Sequence, residues 1–446
     1  MENLLRRSQI RRIDQHKLLW SSFIALVMIA SSGCESTQIF AEPDRPPPPQ
    51  DETLLSVGVC ADDEDCPQWT CVTSICKEGQ CIPERQNSPS LNVQAILSEE
   101  SYLSLSLRDD QLVAVIGEPD TDLADAHSLG VGTGLRRWTL EDGQWDESGD
   151  WSPDLVRITV RPPLVVGADP EESREPLALR GVTLTEGGLW LHAGEALRDV
   201  WYGSWNQSTS QGTYHRLAAP LQAIIQDEEE AWASIFDKGL ERLDLSPPMI
   251  SDDDMDEVVS FEANARFNTP GRALSARAGR SFVVVADGYA GLSLFNKRGD
   301  TGLASDNPAR RLITPPQELS TEGRVVHIDL FEDRVMSAEL GVGAGFSRIT
   351  PEGGLKREFT ISLGGEVRWV SWVDAYTAIV WVEGRGVVAL DLLSAEETPS
   401  ILAEVRLKEI ANDEISAVIW SADQDRFALL NSNGTLFQGA LNCATP

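Results

Sequence analysis

The sequence predicts an all-β fold: a seven-bladed β-propeller preceded by a small disulfide-rich module. Three observations carry that expectation. From about residue 92 onward, short apolar runs alternate with turn residues, and long helix-period segments are scarce. A glycine recurs ahead of one apolar run in each unit, at Gly134, Gly188, Gly239, Gly291, Gly345, Gly386 and Gly434, in steps of 54, 51, 52, 54, 41 and 48 residues. Before the repeats, five cysteines crowd between Cys60 and Cys81. At 446 residues the chain exceeds an ordinary domain of about 100–200 residues unless that domain is built from repeats. A composition of 41% hydrophobic and 24% charged residues is that of a globular chain and excludes wholesale disorder.

Residues 1–33 are organised as an export signal. Arg6, Arg7, Arg11, Arg12 and Lys17 make a basic stretch, and an apolar run from Leu18 to Ala30 follows, interrupted by Ser21 and Ser22. A run of 13 residues suits a signal-peptide core and falls short of the about 20 that a membrane-spanning helix needs. Ala30-Ser31-Ser32-Gly33-Cys34 comes next. This stretch resembles a bacterial lipobox, in which small residues precede a cysteine that is lipidated and becomes the new N-terminus. Ser31 stands where that family usually carries Leu; Ser32, Gly33 and Cys34 fit. The resemblance implies an acylated Cys34, and two or more acyl chains give stable anchoring. The other reading is a plain signal peptide cleaved nearby, with Cys34 in a disulfide. Arg6-Arg7 followed by Ser-Gln-Ile matches a twin-arginine signal poorly. Residues 34–58 read as a tether, because Pro43 and the run Pro46 to Pro49 favour extended polyproline II. A lipid, a spacer and a folded body place the protein in a bacterial cell envelope, on the periplasmic or the outer face.

Residues 59–83 form the Cys-rich module, and 84–91 link it to the propeller. With Cys34 set aside, Cys60, Cys66, Cys71, Cys76, Cys81 and Cys443 remain, an even number in an exported chain. Three disulfides are expected, with about 15 possible pairings. The five cysteines of the cluster cannot all pair among themselves, so one is expected to bond Cys443, near the end of the chain. The C-x5-C-x4-C-x4-C-x4-C spacing resembles small Cys-rich modules of surface proteins. A zinc site would want a C-x2-C knuckle or a nearby His, and neither is present. Asp62, Asp63, Glu64 and Asp65 read as a solvated acidic loop rather than a calcium site.

The propeller is assigned to residues 92–446. Each unit runs from an apolar stretch through an acidic turn to a second apolar stretch, then through the glycine turn to a third. The pattern is plain in VRWVSWV (367–373), Asp374, YTAIVWV (376–382) and Gly384 to Gly386. It recurs in LQAII (221–225), AWASIF (231–236) and Lys238-Gly239, and in AVIW (417–420), RFALL (426–430) and Asn433-Gly434. Asp and Asn bond their own backbone and Gly tolerates positive φ, so each turn suits a hairpin and each unit supplies three or four antiparallel strands. One such sheet cannot bury both faces; a radial stack can. The unit at about 141–200 fits least well, and six or eight blades stay open. SFVVVADGYAGLSLFNK (281–297) resembles an LVIVD-type repeat. GVVALDLLSAEE (386–397) is similar to quinoprotein-like repeats but lacks their tryptophan pattern.

Chemistry is sparse. Lys and Arg number 37 against 70 Asp and Glu, a net charge of −33, which repels phosphate backbones and excludes nucleic acid as the natural partner. No nucleophile-elbow, zincin or P-loop motif occurs, and no cofactor or metal is implied. Gly130 to Gly134 and Gly341 to Gly345 read as turns rather than nucleotide loops. Asp252, Asp254 and Asp256 alternate as in an EF-hand, but Glu257 and Ala263 stand where Gly and Glu belong. His127, His192, His215 and His327 lie in different units, and only convergence on a central channel would bring them together. Trp201, Tyr202 and Trp205, followed by Asn206-Gln207, are candidate binding residues for a glycan or a protein. The expected function is that of a lipid-anchored, non-catalytic binding or scaffolding propeller with an envelope or surface protein as partner. The alternatives are an enzyme with a site in the channel, a hydrolase or metal-dependent lactonase-like activity, and a carbohydrate-binding protein.

Overall fold

The computed structural model describes residues 60–442, apart from 68, 70, 86–88, 97–99, 118–131, 142–143, 158–174, 195–196, 207–211, 227–229, 244, 246–264, 298–316, 394–398, 406–414 and 422–425. The signal, Cys34, the tether, His127, the Asp252 to Asp256 run and Cys443 lie outside the described residues. The chain divides into two units at Ser56, and the described residues belong to the second, Val57–Pro446.

The chain is all-β, and it is a seven-bladed propeller. The module is a hairpin of β1 (Thr73–Lys77) and β2 (Gln80–Glu84) after a 3-10 turn at Asp63–Asp65. Strand β3 (Ser90–Ala95) follows. Blade 1 is β4 (Tyr102–Arg108), β5 (Gln111–Ile116), β6 (Gly134–Glu141) and β7 (Gln144–Trp151). A short pair, β8 (Val156–Arg157) and β9 (Glu175–Pro176), sits in the connection to blade 2. Blade 2 is β10 (Leu179–Thr185), β11 (Gly188–Ala193), β12 (Asp199–Gly203) and β13 (Thr213–Arg216). Blade 3 is β14 (Leu221–Gln226), β15 (Ala231–Ile235), β16 (Gly239–Leu243) and β17 (Ala265–Phe267). Blade 4 is β18 (Ser275–Ala278), β19 (Phe282–Ala286), β20 (Leu292–Asn296) and β21 (Gln317–Leu319). Blade 5 is β22 (Arg324–Phe331), β23 (Arg334–Leu340), β24 (Gly343–Ile349) and β25 (Leu355–Ile361). Blade 6 is β26 (Val367–Asp374), β27 (Thr377–Val382), β28 (Gly386–Asp391) and β29 (Ser400–Val405). Blade 7 takes β30 (Ile415–Ser421), β31 (Arg426–Asn431) and β32 (Leu436–Asn442) from the end of the chain and β3 from its start. All pairings are antiparallel.

Side-chain alternation explains the stack. In β27, Ala378, Val380 and Val382 join the core shared with blade 5, while Ile379 and Trp381 join the core shared with blade 7. A middle strand with an apolar neighbour on each side therefore reads as an unbroken apolar run. Seven buried clusters result, one at each blade-to-blade contact around the ring. The ring closes by backbone pairing, with Ser90 opposite Asn442 and Ala95 opposite Phe437.

Most of the glycine spacing marks the entry to the third strand. At Gly239 and Gly291 the backbone has φ of 84° and 92°, and a Cβ would collide with the fourth strand's carbonyls at Phe267 and Leu319. Two anchors are corrected. Gly188 opens the second strand of blade 2, whose third strand begins only at Asp199. Gly345 lies inside β24, which starts at Gly343. The β8–β9 excursion shifts the unit spacing at blade 2.

The module carries disulfides Cys60–Cys76 and Cys66–Cys81. Cys76 and Cys81 face each other across the hairpin, yet each bonds outward to the preceding segment. Cys71 is disulfide-bonded too; Cys443, the partner expected from the sequence, is beyond the described chain. The sulfurs of Cys60, Cys66 and Cys81 lie within 4.8 Å of one another, but disulfide sulfurs are not thiolate metal ligands. The acidic run works as local capping: Asp63 accepts from the Cys76 amide at 2.7 Å and Asp65 from the Ala61 amide at 2.7 Å. The module is seated on blades 5 and 6. Trp69 meets Phe331 and Tyr376 edge-on at 6.1 and 6.2 Å, and Arg85 grips Asp391 through two nitrogens at 3.0 and 2.7 Å.

Candidate functional site

A groove of about 320 Å³ lies between blades 1 and 2. Its walls are the β4–β5 turn (Arg108 to Gln111), the β10–β11 turn (Leu184 to Leu189), Arg137 of β6, and Ser204 and Trp205 after β12. In a four-stranded meander the first-to-second and third-to-fourth turns share one end, so these elements form one face of the disc. Phe331, Tyr376 and Asp391 lie at the same end of blades 5 and 6, so the module occupies the same face as the groove, elsewhere on the ring.

The three aromatic candidates divide between the two sides of β12. Trp201 is 3% exposed and belongs to the core between blades 1 and 2. Tyr202 points toward blade 3. Its hydroxyl donates to the Gly187 carbonyl at 2.6 Å, and its ring lies 4.6 Å from that of Trp190. Gln226 of β14 ties this corner together, accepting from Thr185 at 2.6 Å and from the Trp190 indole at 2.8 Å. Tyr202 therefore braces the blade 2 wall of the groove from behind. Trp205 alone of the three lines the groove, half-buried.

Two residues outside the sequence-predicted set complete the site. Trp151, at the end of β7, packs edge-on against both Trp201 (5.8 Å) and Trp205 (5.7 Å). The Arg137 guanidinium lies 5.0 Å above the Trp205 ring. An aromatic chain thus runs from the core to the groove and holds one indole in place under a cation. Arg137 sits at a bulge in the β6–β7 pairing, where a strand re-aims its side chains. Its Nε donates to the Ser148 hydroxyl at 3.2 Å, and that hydroxyl lies 3.2 Å from the Arg137 carbonyl, to which it donates in turn. Across the floor, Arg108 reaches Asp109 of its own turn at 3.3 Å and Glu186 of blade 2 at 3.6 Å, linking the two walls. Neither Trp151 nor Arg137 was legible as a site residue, because both come from the blade before the one that carries Trp205.

The channel wall is built differently. The first strand of each blade is innermost, and its channel-facing N–H groups have no strand to pair with. Side chains of the preceding blade satisfy several of them. Ser104 and Ser106 accept from the Val182 and Leu184 amides at 3.4 and 2.8 Å. His327 and Asp329 repeat the device on the Val370 and Trp372 amides at 3.5 and 2.8 Å. Asp329 also takes Arg277 of blade 4 at 3.0 Å and the Ser371 hydroxyl of blade 6 at 2.9 Å, so it joins three blades. Lost hydration and the Arg277 charge hold His327 well below the usual histidine range. His192 bonds Thr183 at 3.1 Å, and lost hydration lowers it to about 4. His215 is buried against Trp190 at 5.8 Å. The three described histidines do not gather into one site.

Buried carboxylates also serve the architecture. Asp287, in the Ala-Asp-Gly stretch of blade 4, is fully buried and accepts from the Gly271 amide (2.9 Å) and Ser293 hydroxyl (3.2 Å); burial raises its pKa. Asp374, raised for the same reason, accepts from the Tyr376 amide at 2.8 Å.

No protein-family model matches the chain, and no curated protein matches it. Among solved structures, the chain is similar to the computationally designed Ika8 protein, with 11% identity over 76% of this chain and 83% of that one, at a TM-score of 0.44.

Proposed function

We propose that this protein is a lipid-tethered propeller of the bacterial envelope that binds a ligand rather than transforming one, with the groove between blades 1 and 2 as its ligand site. The observation that carries this reading is the Trp205–Arg137 pair, held by Trp151 and Ser148 before any ligand arrives. Preorganisation of this kind lowers the cost of binding. Among the described residues, the groove lining holds no His or Cys. In the channel, Asp329, Ser371 and His327 are committed to inter-blade hydrogen bonds, which favours binding over catalysis.

The envelope part of the reading rests on the lipobox-like Ser32-Gly33-Cys34 and the proline-rich tether after it. Acyl chains on Cys34 would hold the disc near a bilayer, while the net charge of −33 keeps it from lying flat on anionic lipid. Fractionation of cells tests the anchor. Cys34→Ser is expected to move the protein from the membrane to the soluble fraction, and unchanged membrane association refutes lipidation.

A further inference from the structure

We propose that the ligand of this groove is an acidic sugar, a uronic-acid-bearing saccharide whose carboxylate sits on Arg137; this rests on the binding reading above. Arg137 uses Nε on Ser148, and among the described residues its two terminal nitrogens meet no carboxylate, which leaves that fork for a ligand. The free fork matches a carboxylate through two parallel N–H···O bonds, and the Trp205 ring fixes its plane. The rest of the polar lining is mixed. Arg108 is spent on Asp109 and Glu186, while Asp110 and Gln111 offer acceptor oxygens, and an ionised carboxylate can only accept, so a ligand here gains by bringing hydroxyl donors as well as its one anionic group. A ring bearing several hydroxyls and one carboxylate meets both demands. The groove volume falls at the small end of the range for small-ligand sites, which suits one to three sugar rings. A long polyanion is disfavoured by the charge of −33, so the site fits a short or terminal acidic saccharide. A peptide fits less well, because the walls carry few apolar side chains for an anchor.

Calorimetric titration of the full chain in detergent with trigalacturonic acid, and with its neutral methyl ester, tests the proposal. Saturable binding of the acid is expected, weakened about tenfold or more by esterification or by Arg137→Ala, the loss of one charge-assisted contact. Trp205→Ala should weaken both ligands, and Arg137→Lys should recover only part of the loss because it keeps the charge without the fork. Arg324→Ala, beside Tyr289 on the opposite face, should change nothing. Equal binding of acid and ester, binding indifferent to Arg137→Ala, or no saturable binding overturns the acidic-sugar assignment. If sugar binding fails while groove variants still abolish capture of another partner from cells, the ligand class is wrong and the binding reading stands.

Discussion

Trp201 and Trp205 are four residues apart, on the same side of the same blade, yet they have different roles. Trp201 fills the interface between blades 1 and 2, and Trp205 emerges at its rim. Removing a buried Trp side chain costs about 3–5 kcal/mol, so Trp201→Ala should lower the denaturant midpoint sharply. Trp205→Ala should cost a small fraction of that and act on binding instead. An equal loss of stability in both variants would show that Trp205 is core rather than site. Asp287 makes a second prediction at this scale. Its folded pKa lies above the unfolded value, so its ionised form strains the fold above the folded pKa. The strain is relieved as pH falls through the folded pKa toward the ordinary carboxylate range. Relief of the whole chain's negative charge acts in the same direction, so the difference between variants is what counts. Asp287→Asn should gain less stability on acidification than the unaltered chain; identical pH profiles would contradict the assignment. The Trp cluster could be read from the sequence as aromatic. Which of its members is exposed could not, because strand alternation sends Trp201 and Tyr202 to opposite cores and the supports come from the preceding blade.

At the scale of elements, the repeat was legible because blades 1, 3, 4 and 5 obey the same steric rule, a glycine (Gly134, Gly239, Gly291, Gly343) where the fourth strand's carbonyl crosses the start of the third. It failed at blade 2 and at Gly345, where an excursion or a second nearby glycine shifts the spacing. The contribution of β3 to blade 7 was not legible, since pairing between residues 90–95 and 437–442 leaves no local pattern. Nor was the disulfide connectivity: Cys76 and Cys81 are opposite in register but bond elsewhere. The two short closures, 16 and 15 residues apart, each contribute about 3 kcal/mol to the module in the chain-entropy model. Arg85 supplies the polar hold on the propeller, with its side chain and that of Asp391 only 13% and 14% exposed. Arg85→Ala leaves that carboxylate without its cation. Hydrogen exchange should then rise in β1 and β2 while blades 2 to 4 keep their protection. Unchanged exchange in the hairpin would show that Trp69 and the disulfides hold the module without Arg85.

For the whole molecule, closing the ring removes the unburied sheet faces a lone blade would expose and leaves two ends for recognition. The module takes part of one end, and the groove lies on that same end. If recognition happens at this groove, photocrosslinking in intact cells will show it. Cells carrying an internally tagged chain would be treated with a diazirine crosslinker, which inserts into sugar and protein alike, and the captured species identified. Reproducible capture that is lost in the Arg137→Ala/Trp205→Ala double variant but kept in Arg324→Ala is the predicted result. Capture indifferent to the groove variants, or lost only in Arg324→Ala, would place recognition elsewhere on the disc.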